Sequence, residues 1–400
     1  MKNWIRVLLI SELYLVVTLF ATEPRNLKPG DPLTVSMDSK RLQGVDQVIQ
    51  KEIANQKIPG AVLLIARQGV IVYRKAYGHA QLSPVKEPMT GDKIFDMASL
   101  TKPIATATAI MLLVEQGKLG LHDPVTKYLP EFTPFVSLTG DTARAPRIWH
   151  LLTHTSGLPA YADTAAIKAQ YGCPCPEGVI RTIATTKKIA APGEKYVYSC
   201  LGYITLAEII KRVAGETIDQ FTNKNIFTPL GMYSTGFCPP KEWQPRIVPT
   251  EIVHGKPHRG LVHDPLAQLM DGKSGNAGLF SCTDDLAIFC QMLLNGGVYG
   301  KGRILSPASV RLMTTVYSEV PNFGRGLGWG INTSYSSIAG DLFSQAAFGH
   351  TGFTGTSIVV DPSTETFVIL LTNRVHISAK IDIADLRSKI ANIVAGSILD

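Results

Sequence analysis

The sequence predicts an α/β protein: an antiparallel sheet assembled from both chain ends, flanked by helices, with a mostly helical region inserted between them. Three observations carry that prediction. Two β-prone runs stand side by side near the start, in GAVLLIARQGVIVYRKAYG (60–78). A second pair stands near the end, in TSIVVDPSTETFVILLTNR (356–374). Between them, apolar residues recur at helical rather than strand spacing.

Each element follows in order. The chain opens with MKNWIRVLLISELYLVVTLFATEP, in which Lys2 and Arg6 precede an apolar run over 7–21. This is the pattern of a secretory signal over 1–21. It is short of the roughly 20 apolar residues a spanning helix needs. Glu12 interrupts the run, and Leu19 stands where a cut after Ala21 favours a small residue, so an uncleaved N-terminal anchor is the alternative. Residues 22–40 are polar and contain prolines, which reads as a linker. One domain then fills 41–400. Its sheet part covers about 41–100 and 300–400, and its helical part about 101–299.

Residues 42–56 have helical spacing, and the first strand pair turns at Arg67-Gln68-Gly69. In the middle, 105–116 reads as an apolar helix, and 205–215 and 283–297 as helices ending at glycine. The second strand pair turns at 361–365, and 381–399 closes the chain as an amphipathic helix. The boundary between the two parts is the natural place for a cleft.

Composition narrows the function. With 400 residues, 45% apolar and 18% charged, the chain is globular. Its net charge of +7 comes without a basic run or an aromatic-plus-basic platform, which argues against nucleic-acid binding. Six cysteines, at 173, 175, 200, 238, 282 and 290, are too scattered for a disulfide framework, although export would permit a bridge or two. CPCP (173–176) lacks the second cysteine pair a metal clip needs.

Three short motifs could carry chemistry. Ser99-Leu100-Thr101-Lys102 stands at the start of the long apolar helix, where residues three apart share a face. Lys102 can then reach the Ser99 hydroxyl, and a lysine whose pKa burial lowers can take its proton. Ser99 alone fits a helix cap equally well. A second S-x-x-K, at 83–86, lies in a proline-broken stretch with no helix behind it. His350-Thr351-Gly352 leads into a strand, where backbone N–H groups can meet an oxyanion. His154-Thr155-Ser156-Gly157 repeats that pattern but reads as a structured loop. Finally, Tyr198-Ser199-Cys200 offers a tyrosine that a nearby lysine cation could make a base.

In this order, S-x-x-K, Y-S-x and H-T-G resemble the serine hydrolases that group class C β-lactamases with D-alanyl-D-alanine carboxypeptidases and related esterases. LGLHDPVTKYLPEF, IWHLLTHTSGLP and SGNAGLFSCTDDLAIFCQMLLNGG also fit, so the resemblance covers nearly all of the chain after the linker. It implies a serine β-lactamase or penicillin-binding-protein-like fold and a Ser99 acyl-enzyme. Lys102 and Tyr198 would share the proton work. The N–H groups of Ser99 and Phe353 would form the oxyanion hole. His350, with Thr351 and Gly352, would face substrate, the histidine binding a carboxylate more strongly when protonated. No metal or organic cofactor is implied. The expected partner is a small-molecule ester, β-lactam or cell-wall peptide, met in the periplasm or outside the cell, with membrane contact only through an uncleaved N-terminal segment. Cys200 departs from the pattern, which has asparagine there; a thiol is a weak donor and a weak acceptor.

Rival readings remain open at this point. His254, His258, His263 and Asp264 lie close in sequence and could hold zinc for a metal hydrolase, although Gly255 and Pro257 argue against a shared helix. A poorly catalytic cell-wall-peptide or penicillin-binding protein is a second. A Cys200 nucleophile is a third, without a local signature to support it.

Overall fold

Apolar runs from opposite chain ends meet in one sheet. The computed structural model describes residues 24–137, 140, 143–332 and 338–400. The expected signal or anchor, 1–21, lies outside the described residues. The strands that matter for the site are β1 (Gly60–Arg67), β2 (Val70–Gln81), β3 (Gly330–Ile331), β4 (Phe348–Thr351), β5 (Ser357–Asp361) and β6 (Thr366–Thr372). They lie side by side as β2-β1-β6-β5-β4-β3, each pair antiparallel. The β1–β6 pairing, from Ala61 opposite Thr372 to Arg67 opposite Thr366, joins the two ends of the chain.

Side-chain alternation then sorts residues between two cores. Ala61, Leu63 and Ile65 of β1 point one way, with Val368 and Leu370 of β6. Helices α1 (Gly44–Ala54) and, at the far end of the chain, Ala384–Ala395 cover that face through Val45, Ile49, Leu386 and Ile390. Val62, Leu64 and Ala66 point the other way, with Phe367, Ile369 and Leu371, into the helical middle. That middle includes α2 (Thr108–Glu115), α3 (Cys200–Ala214) and α4 (Thr283–Leu294). Because β1 and β6 are buried on both faces, they read as continuous apolar runs. Each such Leu or Ile contributes about 1.5–3 kcal/mol on burial.

The structure departs from expectation in three places. Within the stretch read as a linker, Lys28–Pro29 pairs in parallel with Val70 and Ile71, and Val35 and Met37 are buried in the core under α1. From residue 28 the chain is therefore part of the fold, held by those two apolar side chains. Second, the helical middle also holds a three-stranded sheet, Phe95–Asp96, Leu279–Ser281 and Gly236–Phe237, whose backbone pairing ties the start of the insert to its end. Third, the long apolar helix is not uniform. It opens with a 3₁₀ turn (Ala98–Leu100) and a π-helical turn (Lys102–Ala107) before α2. Pro103 accounts for the widened turn: it has no N–H to give, and its ring crowds the carbonyl four residues back, that of Ser99. Ala98–Glu115 is long and apolar enough to cross a membrane, but 83% of it is buried, as in a core helix. All six cysteines are free thiols.

Candidate active site

Ser99 is presented by a strained turn. Ala98 has φ +45°, a left-handed conformation that costs an L-residue about 1–2 kcal/mol. The buried carboxylate of Asp96 holds it there: one oxygen accepts the Ala98 N–H at 2.8 Å and the other the His263 N–H at 2.7 Å. Burial pushes the Asp96 pKa up, and nearby Asp264 adds to this, against the two backbone bonds. The turn after β4 is sewn to the same segment. Thr354 Oγ1 donates to Asp96 O at 2.8 Å and Thr356 Oγ1 to Met97 O at 3.2 Å. At Gly352 a Cβ would fall 2.5 Å from Met97 O, so only glycine lets the end of β4 dock against the Ser99 turn. Gly352 N–H bonds to Thr356 O and Gly355 N–H to Gly352 O. Among the described residues, the N–H groups of Ser99 and Phe353 have no partner.

Lys102 is fully buried, and its ammonium is nonetheless well supplied. Nζ donates to Ser99 Oγ at 2.9 Å and to Asn276 O at 2.9 Å. It lies 5.0 Å from the centre of the Tyr198 ring and 5.8 Å from that of Tyr203. Burial alone would pull its pKa down; nearby Cys200, Tyr198 and Asp264 outweigh it, and the net direction is up. The expected lowering is therefore reversed, and Lys102 stands as a cation at neutral pH. Asp264 also reaches Lys102 through structure. It accepts from Asn276 Nδ2 at 3.1 Å, from Tyr161 Oη at 3.0 Å and, as a helix cap, from Ala267 N–H at 2.8 Å.

Tyr198 is held between two histidines. Its ring packs on His154 with centroids 4.3 Å apart, and lies 6.0 Å from His350. His154 grips the tyrosine segment twice: its carbonyl accepts from Val197 N–H at 2.9 Å and its Nδ1 from Ser199 N–H at 3.0 Å. Burial, then the charges of Arg325 and Lys102, push the pKa of both histidines well below the usual imidazole range. Ser199 caps α3, accepting from Gly202 N–H at 3.4 Å, and Cys200 follows as the first helical residue, half-buried.

The family model for beta-lactamase matches residues 45–391, nearly the whole described domain. The chain belongs to the beta-lactamase family. Curated relatives agree. The chain is 33% identical over 379 residues to a candidate D-alanyl-D-alanine carboxypeptidase of Escherichia coli O157:H7, covering 88% of this chain and 86% of that protein. It is 33% identical to an N-acetylmuramyl-L-alanine amidase of Bacillus subtilis, covering 86% and 83%. Among solved structures, EstCE1, a hydrolase with promiscuous acyltransferase activity, superposes with TM-score 0.72 at 27% identity, covering 90% of this chain and 99% of that one. The octameric penicillin-binding protein homologue from Pyrococcus abyssi superposes with TM-score 0.69 at 26% identity, covering 89% and 78%. The protein is thus a serine hydrolase of the β-lactamase type.

As in a family member, Ser99, Lys102, Tyr198, Cys200 and the His350-Thr351-Gly352-Phe353 turn face one another. His350 is buried, its Nδ1 2.9 Å from Thr351 O, and burial pushes its pKa well below the usual imidazole range. One expectation is corrected. The proposed zinc cluster does not form: among the described residues no three His, Cys, Asp or Glu converge as metal ligands. His254 sits exposed in a turn, His258 Nε2 contacts Val262 O at 3.2 Å, His263 stacks on Phe353, and Asp264 caps a helix. Sequence reading missed Asp96, Asp264, Asn276 and His154 as supports of the site. His154 carried a signal as the second H-T-x-G-like segment, and Asp264 carried one only as a member of the proposed zinc cluster.

Proposed function

We propose that this protein is an exported hydrolase that cleaves carboxylic esters and D-alanyl-type substrates through a Ser99 acyl-enzyme. The observation that carries the reading is the 2.9 Å contact between Lys102 Nζ and Ser99 Oγ inside a buried, cationic pocket. Ser99 Oγ attacks the carbonyl carbon. Its proton is relayed by the Tyr198 hydroxyl, held beside the Lys102 cation, which takes the Ser99 proton and gives up its own, so that a proton reaches the leaving oxygen or nitrogen as the acyl bond breaks. The unpartnered N–H groups of Ser99 and Phe353 receive the charge on the carbonyl oxygen. Water then repeats the sequence and frees Ser99.

Cys200 favours esters over amides. An asparagine at this position could hold a substrate amide by donating and accepting, and a thiol does both weakly. The names of the carboxypeptidase and amidase relatives support a cell-wall setting. The charged start and apolar run of 1–21 support export. Intact-protein mass spectrometry tests the chemistry after incubation with a penicillin, an activated ester and a D-Ala-D-Ala peptide. An acyl adduct on Ser99, lost in Ser99→Ala, is expected, shortest-lived with the ester. No adduct and no turnover with any of the three would overturn the reading.

A further inference from the structure

Arg387 stands behind the turn that carries the Phe353 N–H. It belongs to the last helix, Ala384–Ala395, which Leu386 and Ile390 bury against the sheet. Its guanidinium reaches the end of β4. Nη2 donates to Thr356 O at 3.1 Å and lies 3.4 Å from Gly352 O, and Nε is buried without a partner. Burial, then the charge of Arg374, push its pKa down to about 10, and Asp382 offsets part of this, so Arg387 is a cation at neutral pH. A cation sealed behind two carbonyls carries a desolvation cost that an apolar side chain would avoid. Its charge is among those that lower the pKa of His350, two residues before Gly352, so it is felt in the site.

Gly352 O and the Phe353 N–H are the two ends of one peptide unit. That unit is planar and trans, so the carbonyl and the N–H point in opposite directions. The carbonyl faces Arg387, and it also accepts the Gly355 N–H at 3.1 Å. The N–H faces the other way, with no partner among the described residues. Donors on a carbonyl polarise its amide and make the N–H at the far end a stronger donor. The ring of Phe353 is fixed as well. Arg374 Cζ lies 4.8 Å from its centre, and His263 stacks on it with centroids 5.5 Å apart. Arg374 is itself tied to Ala379 O at 2.9 Å.

We propose that Arg387 is a positioning residue for the oxyanion hole, setting the plane of the Gly352–Phe353 peptide and passing its positive charge through that peptide to the developing oxyanion. The inference rests on the acyl-enzyme reading, which puts the carbonyl oxygen of the substrate at the Phe353 N–H. Arg387 touches no reacting atom. It acts through a backbone donor, and its effect grows as negative charge builds on the oxygen. The transition state therefore gains more from it than bound substrate does.

Phenylboronic acid tests this. Ser99 Oγ adds to its boron, and the four-coordinate adduct puts an oxygen where the oxyanion forms. In Arg387→Gln, Ki for phenylboronic acid rises about tenfold or more and kcat for 4-nitrophenyl acetate falls by a similar factor, and Arg387→Lys keeps part of both. A merely structural lesion lowers the active fraction, which moves kcat and leaves Ki where it was. Ki unchanged in Arg387→Gln, in protein whose Tm shows it folded, overturns the proposal. Arg387→Met, which removes the unpartnered Nε together with the charge, carries the same test where Arg387→Gln does not fold. 3-Carboxyphenylboronic acid is the control. An equal fold-loss for both boronates sustains the proposal, whereas a loss confined to the carboxylated one overturns it, since Arg387 would then hold ligand and not peptide. Equal binding of phenylboronic acid to Ser99→Ala would instead sink the acyl-enzyme reading alone.

Discussion

Lys102 and Arg325 are both buried cations whose charges reach His154 and His350, and they are kept in opposite ways. Lys102 has Ser99 Oγ and Asn276 O at hydrogen-bond distance, and Asp264 close by. Arg325 has a tyrosine face, and its Nε and Nη2 are buried without a hydrogen-bond partner. A cation whose bonds are satisfied internally is fixed in place and can steer a proton. A cation whose bonds are left unmade weighs on the fold that holds it. His154 and His350, whose pKa values burial pushes well below the usual imidazole range, feel the charge of each.

The largest way to break this contrast is Lys102→Met. We expect ester hydrolysis to fall by about 10³-fold, the scale of losing a preorganised charge that favours the transition state. A steady-state assay showing less than a tenfold loss would contradict the role given to Lys102. Acid strains the two histidines. Each histidine has a folded pKa below its unfolded value near 6.5, so its contribution to stability is complete above that pH and is lost as pH falls below it. Unfolding free energies from urea titrations below pH 6.5 should fall with a slope approaching about 1.4 kcal/mol per pH unit for each histidine. A flat profile to pH 5 would show that the pair is not held neutral.

Smaller changes sharpen the comparison. Asp264→Asn removes one of the charges that raise Lys102. The lysine then loses its proton at lower pH, so the alkaline limb of the rate profile moves to lower pH, with kcat down about tenfold. An unmoved limb would assign Asp264 to helix capping alone. The smallest effect is on stability. Arg325→Met replaces an unpartnered buried charge by an apolar chain of similar length, and we expect thermal unfolding to show a gain of about 1 kcal/mol. A loss of that size would mean the guanidinium supports the fold.

Much of this was legible because it is local. The strands of both chain ends are apolar runs with turn residues between them, and the structure places them where the runs lie, turning at Gln68-Gly69 and at 362–365. Ser99 and Lys102 were legible from three-residue spacing at a helix start. Tyr198 and His350 needed the family pattern, since nothing within their own neighbourhoods separates them from packing residues. Asp96 and Asn276 were not legible, and Asp264 was read as a metal ligand, not as a support of the site. Their roles come from a backbone N–H in an adjacent turn, from a helix cap, and from a carbonyl 174 residues away from Lys102. The widened helix turn was readable in principle, from Pro103 four residues after Ser99. Residues 28–40 were misread because a few buried apolar positions in a polar stretch carry no periodicity.

The pairing of β1 with β6 has a consequence in time. A ribosome that has finished β1 must add roughly three hundred more residues before its sheet neighbour exists, and β4, which brings His350 to Ser99, arrives only a little earlier. Until then the nucleophile has no opposing strand, and β1 has one bare edge. Contacts this distant in sequence make folding slow and late. A nascent or truncated chain that lacks β4 to β6 therefore carries Ser99 without the strands that face it, and on the proposed reading it cannot hydrolyse.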